Sequence, residues 1–194
     1  RRGYSVHLTR DSDVYIPLRQ RVSMARAQDA DLFISLHADS NPDAATAGAS
    51  VYTLSERGSD REAVALARKE NQSDVVAGVD LKGQDETVSH ILIDLAQRDT
   101  INRSVRFAEN LVAQLRGTTD VISHDPHRSA AFAVLKAPDV PAVLIELGYL
   151  SNARDCGQMG TNAWRDSVAR AIASAVDRQF APEQTVASAP AVAV

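Results

Sequence analysis

Cysteine is nearly absent from this sequence, and its scarcity excludes two kinds of structural cross-link. Cys156 is the single cysteine among 194 residues, so the chain can form neither an internal disulfide nor a zinc site built from cysteines. No His or Lys stands beside Cys156 to suggest a nucleophile, and we expect a packed or partly exposed thiol.

Long apolar runs and dense basic blocks are also missing. No stretch approaches the roughly 18 apolar residues that span a bilayer, and no signal-peptide pattern is present. The net charge of −4, without a block of Lys or Arg, gives no electrostatic footprint for nucleic acid or an anionic membrane surface. The chain opens on Arg1 without a starting Met and enters a predicted strand at once. This start is typical of a domain cut from a longer protein, so the missing signal leaves that protein's compartment open.

The remaining composition, 44% hydrophobic and 24% charged, suits one globular domain with a substantial core. Apolar periodicity predicts alternating strands and helices. Strands are expected at residues 3–10, 32–36, 49–54, 131–135 and 142–147, and helices at 17–30, 60–71, 85–98, 100–115 and 162–180. The Ser and Thr content of 49–54 favours a sheet edge. The tail, 181–194, is low in complexity and is expected to be disordered.

The predicted strand at 32–36 ends abruptly in His37, which is followed by small and polar residues. A nearly continuous apolar run indicates a strand buried on both faces of a parallel or mixed sheet. In open sheets flanked by helices, ligands collect beyond the carboxyl ends of the strands, which is where His37 would lie. His37 is therefore either a metal ligand or a polar residue that merely ends a strand, and a partner must decide between the two.

Glu146 is the second anomaly, since it stands inside the apolar strand at 142–147. A buried carboxylate costs several kcal/mol unless it is paired or bound. Burial should raise its pKa toward neutrality, as a general base acting on water requires; the alternative is a buried ion pair with an arginine. If the two strands are near neighbours, His37 and Glu146 lie above the same sheet edge. They would then form half of a zinc hydrolase site, in which His37 is the one convincing metal ligand.

Three segments carry a resemblance to a known family. They are Thr9-Arg10-Asp11 with Ile16-Pro17-Leu18 and Arg21, then the stretch from Asp31 to Asp39, then the stretch from Ala131 to Asn152. In this order, over about residues 3–180, they resemble the zinc-dependent N-acetylmuramoyl-L-alanine amidases of bacterial cell walls.

The resemblance implies a three-layer α/β sandwich around a twisted, mostly parallel sheet, one catalytic Zn²⁺ ion, and a catalytic domain over residues 1–180. It also implies hydrolysis of the amide between the lactyl group of N-acetylmuramic acid and L-alanine in peptidoglycan. By the resemblance, His37 is a zinc ligand and Glu146 is the catalytic glutamate, while Asn152, with Ser151, could help to orient substrate.

Two further zinc ligands of the family, a histidine after the first strand and a glutamate at the start of the first helix, have no counterpart in this chain. None of His7, His90, His124 or His127 stands where it would replace them. We expect both ligands upstream of Arg1, together with the N-terminal strand and helix of the family fold. The alternative is a degenerate member that cannot hold zinc, but the motifs that remain show no decay.

Residues 70–98 resemble an insertion of division-associated family members, in which a helix covers the zinc site until an activator protein displaces it. An apolar stripe at 85–98, preceded by a Gly-containing break, agrees with a lid that docks and releases. Glu70 resembles the glutamate that occupies the open zinc position in the inhibited form, and Glu86 is the second choice. For either, the alternative is a solvated helix carboxylate.

The predicted protein is a self-inhibited zinc amidase of cell division. It would act on peptidoglycan in the periplasm of a Gram-negative cell, exported by an upstream signal, with a LytM-type activator as the partner of its regulatory helix. Two alternatives stay open: a zinc carboxypeptidase of similar fold, and a catalytically inactive module that binds cell wall or activator. The match from Glu146 to Asn152 argues against the carboxypeptidase.

Overall fold

Helices and strands alternate along the chain in the computed structural model, which describes residues 3–77 and 90–181. The strands are β1 (Phe33–Asp39), β2 (Ser50–Leu54), β3 (His127–Ala130) and β4 (Ala142–Tyr149); the helices are α1 (Leu18–Ala27), α2 (Arg61–Asn71), α3 (Ser73–Val76), α4 (His90–Arg116), α5 (Ala153–Met159) and α6 (Asn162–Gln179), with a 3-10 turn at Ala133–Leu135. Within the described ranges, no helix combines the length and apolar character needed to cross a bilayer.

The four described strands form one sheet in the order β1-β4-β2-β3. β1 pairs with β4, and β2 with β3, in parallel, whereas β2 and β4 are antiparallel. Val143 and Ile145 of β4 join a buried cluster with α4 and α6, while Leu144 joins a second cluster with α1 and α2 on the other face. The predicted α/β fold, a mostly parallel sheet flanked by helices, is confirmed.

Polar groups at the helix starts explain where the helices begin. Asp60 Oδ1 and Thr161 Oγ1 each accept a hydrogen bond from the amide three residues later, at 2.8 and 3.3 Å, and so cap α2 and α6. α1 begins after Pro17, whose side chain makes no capping hydrogen bond. The amide of Leu18 instead donates to Asp74 Oδ1 of α3, at 2.9 Å.

The helices predicted at 17–30, 60–71 and 162–180 are confirmed as α1, α2 and α6. From His90 onward, the two helices predicted at 85–98 and 100–115 form one continuous helix, α4. Residues 78–89 of the predicted insertion, with Glu86, and the tail from 182 to 194 lie outside the described residues.

The strand predicted at residues 3–10 is wrong. This stretch has no regular secondary structure, and Tyr4, Val6 and Leu8 are exposed. Alternation of apolar and polar residues identifies the two faces of a strand, but a strand also needs a neighbour for its backbone hydrogen bonds. None of the described strands lies beside this segment.

The strand predicted at 131–135 is also wrong, because β3 ends at Ala130 and a 3-10 turn follows. The side chain of Asn71 accepts a hydrogen bond from Ala133 N at 2.7 Å and donates one to Ala131 O at 2.8 Å. These backbone groups are therefore bound by a side chain from α2 instead of by a neighbouring strand.

The edge of the sheet is not where the sequence pattern placed it. β2 lies between β4 and β3, whereas β1 is at the edge of the described sheet and its Leu36 is 58% exposed. The expectations of an edge position for 49–54 and of burial on both faces for 32–36 are therefore wrong. Strand order depends on pairing between distant segments, which neither Ser and Thr content nor an apolar run reveals.

Asp155, in the first turn of α5, fixes the turn that follows β4. Its buried Oδ2 accepts hydrogen bonds from Gly48 N at 2.8 Å and Tyr149 N at 2.9 Å. Gly148 has a φ of +149°, and a Cβ there would lie 2.9 Å from the same oxygen. The turn therefore depends on this glycine and on the carboxylate beside it.

Asp155→Ala is expected to lower the free energy of unfolding by about 3 kcal/mol, because two buried amides lose a charged acceptor. Urea denaturation followed by circular dichroism measures the change. Asp166→Ala, on the exposed side of α6, is the control and should change stability by less than about 0.5 kcal/mol. Equal stability of the two variants would contradict the role assigned to Asp155.

Candidate functional site

His37 and Glu146 lie side by side near the carboxyl ends of β1 and β4. The two strands are parallel and His37 is paired with Glu146 in the register, so both side chains project from the same face of the sheet. His37 Nδ1 is 4.0 Å from Glu146 Oε1. The sequence predicted this meeting on the condition that the two strands are neighbours, and the structure meets that condition.

The imidazole of His37 is oriented by a hydroxyl from its own strand. Ser35 Oγ lies 2.9 Å from His37 Nε2 in a hydrogen bond, and the two side chains share a face because they are two residues apart in a strand. The other ring nitrogen, Nδ1, is 3.1 Å from Glu70 Oε2. A hydrogen bond at one ring nitrogen decides which nitrogen remains available to a ligand, so Ser35 leaves Nδ1 facing the carboxylates.

Glu146 is fully buried and only half of its carboxylate is hydrogen-bonded. Its Oε2 accepts a hydrogen bond from Asp39 N at 3.1 Å. The register of β1 and β4 shifts between His37 and Asp39, and such an irregularity redirects backbone groups beside functional sites. Its Oε1 has no hydrogen-bond partner among the described residues.

Burial raises the pKa of Glu146 to about 7, because desolvation disfavours the charged carboxylate. The charge of His37 opposes this shift, while those of Asp39 and Glu70 add to it. A carboxyl group that titrates near neutrality can both accept and return a proton. No arginine in the described part of the chain lies within ion-pair distance of Glu146, so the alternative of a buried arginine pair finds no support.

The last turn of α2 brings a third ionisable group to the same place. Glu70 Oε2 contacts His37 Nδ1, and its side chain is 17% exposed. Glu70, which is predicted to occupy the open zinc position, therefore contacts the predicted metal ligand His37 and does not lie on a solvated helix face. Its role at a metal site stays a prediction, and Glu86, the second choice, lies outside the described residues.

Lys69, next to Glu70, ties α2 to the end of β1. Its Nζ contacts Asp39 Oδ1 and donates a hydrogen bond to Ser40 O at 3.1 Å. Neither Lys69 nor Ser35 is among the site residues predicted from the sequence. The alternation of strand side chains would have placed Ser35 beside His37, whereas no local pattern relates Lys69 to Asp39.

Asn152 and Ser151 are engaged with backbone groups. Asn152 Oδ1 accepts hydrogen bonds from two amides of α5, at 3.1 and 3.2 Å, and its Nδ2 donates to Ala44 O at 2.9 Å. Ser151 Oγ accepts from Asn41 N at 2.9 Å. These contacts give both residues a structural role, and substrate contact by Asn152 stays a prediction.

The donors present fit part of a zinc ligand set. Within the described ranges, no group of three or more His, Cys, Asp or Glu residues has the arrangement of a metal site. His37 Nδ1 has Glu70 Oε2 at 3.1 Å and Glu146 Oε1 at 4.0 Å; an imidazole nitrogen and carboxylate oxygens are donor types that zinc accepts. The unpartnered, buried Oε1 of Glu146 marks the space between them as one that favours a further polar group.

The sequence matches a family of cell-wall hydrolases along most of its length. The family described as N-acetylmuramoyl-L-alanine amidase (Amidase_3) matches residues 1–178. The amidase AmiA of Escherichia coli K12 is 39% identical over 179 residues, which are 92% of this chain and 62% of AmiA. The amidase AmiC of Escherichia coli O6:H1 is 37% identical over 183 residues, which are 94% of this chain and 43% of AmiC. The chain thus spans about three fifths or less of these relatives.

Solved amidase structures share the fold. The catalytic domain of CwlV, from Bacillus (Paenibacillus) polymyxa, is 24% identical and superposes with a TM-score of 0.55 over 90% of this chain and 71% of its own. The amidase AmiC2 of Nostoc punctiforme is 21% identical, with a TM-score of 0.60 over 89% of this chain and 70% of its own.

Proposed function

Because this chain belongs to the N-acetylmuramoyl-L-alanine amidase family, we propose that it hydrolyses the amide between the lactyl group of N-acetylmuramic acid and L-alanine in peptidoglycan. One observation carries the proposal: a carboxylate with no hydrogen-bond partner at Oε1 among the described residues, Glu146, lies 4.0 Å from the imidazole of His37 at the end of two paired strands. This is an arrangement for moving a proton beside a cation-binding nitrogen.

We propose that zinc is the cofactor and that His37 Nδ1 holds it. When bound, zinc supplies a Lewis acid that polarises a carbonyl and lowers the pKa of water. The chain's own contribution is the orientation of the ring: Ser35 holds Nε2, and the neighbouring strand keeps Glu146 within reach of the same space.

Glu146 acts as the general base and then as the general acid. Its Oε1 takes a proton from the attacking water as the new carbon–oxygen bond forms at the lactyl carbonyl, and the same proton goes to the nitrogen of L-alanine as the carbon–nitrogen bond breaks. The hydrogen bond from Asp39 N to Oε2 holds the carboxylate in one orientation throughout. A pKa near neutrality suits both halves of this exchange.

The products of digestion test this function. The full-length protein, supplied with zinc and then with a chelator, is incubated with purified peptidoglycan, and the released material is identified by mass spectrometry. Free stem peptides that begin with L-alanine, lost on chelation, are expected. Shortened stem peptides would identify a carboxypeptidase. The absence of any product from a Glu70→Ala variant would indicate a catalytically inactive module that only binds cell wall or activator.

We also propose that Glu70 inhibits the enzyme by occupying the position at His37 that substrate needs. Support comes from the 3.1 Å contact between Glu70 Oε2 and His37 Nδ1 and from the low exposure of Glu70. A carboxylate in that position competes with the water and the carbonyl oxygen that hydrolysis brings there.

Glu70→Ala is expected to raise the basal rate of peptidoglycan hydrolysis about tenfold, since one charged contact holding the closed state is removed. Dye release from labelled peptidoglycan measures the rate. Glu62→Ala is the matched control, because Glu62 lies on the same helix but pairs with Arg128. An unchanged rate when Glu70 and Glu86 are both replaced would exclude inhibition by either carboxylate.

We further propose that the protein acts in the periplasm during cell division and that a LytM-type activator opens the site. The support is the relationship to AmiA and AmiC of Escherichia coli and a site covered by a helix end. An activator that works this way should raise the rate of the parent protein but not that of the Glu70→Ala variant.

A further inference from the structure

The end of α2 and the short α3 are attached to the rest of the protein through polar side chains. Lys69 reaches the end of β1, Glu70 reaches His37, Asn71 binds the backbone after β3, and Asp74 reaches the start of α1. Each of these contacts therefore involves a different part of the fold.

The beginning of α2 is attached differently. Ala63 and Ala67 are buried in an apolar cluster with Leu18 and Phe132, and Asp60 caps the helix. In α3 the apolar side chains are instead exposed, Val75 by 58% and Val76 by 87%. Apolar burial thus secures the first turns of α2, whereas the segment from residue 69 to 77 depends on hydrogen bonds.

Asp74 is the most enclosed of these polar anchors, with 5% of its surface exposed. Its Oδ1 accepts hydrogen bonds from Tyr15 OH at 2.6 Å and from Leu18 N at 2.9 Å. The second bond gives α1 the cap that Pro17 does not supply. Arg21 stacks on the ring of Tyr15, with 5.6 Å between the guanidinium carbon and the ring centre, and so holds the tyrosine in place.

We propose that Asp74 and Tyr15 form a latch that holds the segment 69–77 closed and thereby keeps Glu70 against His37. Asp74 lies four residues beyond Glu70, and no buried apolar side chain anchors the described chain between them. The same Tyr15 hydroxyl also lies 3.1 Å from Ser73 Oγ. Release of Tyr15 from Ser73 and Asp74 leaves, among the side-chain contacts of the described residues, those of Lys69, Glu70 and Asn71 to hold the end of α2. Both latch residues are positioning residues, because they touch neither the reacting atoms nor His37.

The conservative variant Tyr15→Phe removes the 2.6 Å hydrogen bond but keeps the ring that Arg21 contacts. Amide hydrogen exchange over residues 69–77 is expected to accelerate about tenfold, because opening of this segment loses a charge-assisted hydrogen bond that resists it. Asp74→Asn, which keeps an acceptor but loses the charge, should accelerate exchange in the same segment. Thr161→Ala, which removes the cap of α6, is the control and should leave exchange at 69–77 unchanged.

The effect of the latch on the rate of hydrolysis rests on the proposed function, so the latch and the proposed function are tested by separate measurements. The basal rate of peptidoglycan hydrolysis should rise about fivefold in Tyr15→Phe, and adding Tyr15→Phe to Glu70→Ala should give no further rise, because the latch acts through Glu70. Unchanged exchange at 69–77 in both latch variants overturns the latch, whatever the activity. Faster exchange with no hydrolysis in any variant, Glu70→Ala included, overturns the proposed function and leaves the latch standing.

Discussion

Glu146→Gln is expected to reduce peptidoglycan hydrolysis by about 10²–10⁴-fold, the range that general acid–base catalysis contributes. Glutamine preserves the volume of the side chain and can still accept the hydrogen bond from Asp39 N. It places a neutral amide beside His37, where it cannot take a proton from water. The chemical step therefore loses its base, while the geometry of the site is retained.

The same variant should be at least as stable as the parent protein. Glu146 is fully buried, and the neutral amide avoids the desolvation cost of a carboxylate. Measurement of the initial rate together with urea denaturation separates a catalytic role from a structural one. Glu56→Gln, at an exposed position, is the control. A variant that retains more than a tenth of the activity, or that loses activity by unfolding, would contradict the assignment of Glu146 as the base.

His37 and Glu146 could be identified from the sequence because each interrupts an apolar strand. A polar residue in such a position carries a desolvation cost, so a partner or a functional role is expected for it. The pairing of the two residues could not be derived from either strand alone. It depends on the parallel register of β1 and β4, whose paired segments lie 109 residues apart in the chain, from His37 to Glu146.

The errors in the predicted fold also arise because strand pairing depends on segments that are distant in the sequence. The segment 3–10 has the alternation of a strand, yet no described strand lies beside it; residues 49–54 have the composition of an edge strand, yet β2 lies inside the sheet. Local pattern records which face of an element is apolar. It does not record which distant segment supplies the neighbouring hydrogen bonds.

The contacts at the end of α2 and in α3 also divide into those that the sequence indicates and those that only the structure reveals. Glu70 was identified through the resemblance, whereas its neighbour Lys69 and Asp74, four residues further on, could not be identified from any pattern in the sequence. Their partners, Asp39 and Tyr15, lie 30 and 59 residues away in sequence. Polar contacts between a helix end and a distant segment leave no periodic pattern in the sequence, so only the structure reveals them.

Removal of the imidazole is the second change with a large expected effect. His37→Ala should lower the affinity for zinc by more than about 100-fold, since loss of a residue that merely orients a ligand costs about 10–100-fold. Hydrolysis should fall with the metal content. Inductively coupled plasma mass spectrometry of the full-length protein gives the zinc stoichiometry, and competition with a chromogenic chelator gives the affinity.

The control for His37→Ala is His124→Ala, because His124 is exposed and lies in the loop before β3, away from β1. Parent-like zinc affinity in His37→Ala would show that Nδ1 faces Glu70 only as a hydrogen-bonding partner. It would contradict the proposal that His37 binds zinc, but not the proposal that Glu146 is the base. Loss of zinc in His37→Ala but not in Glu146→Gln is the expected combination, since we propose that the imidazole binds the ion and that the carboxylate moves the proton. The two variants thus assign binding and proton transfer to two side chains that are paired in the same register of one sheet.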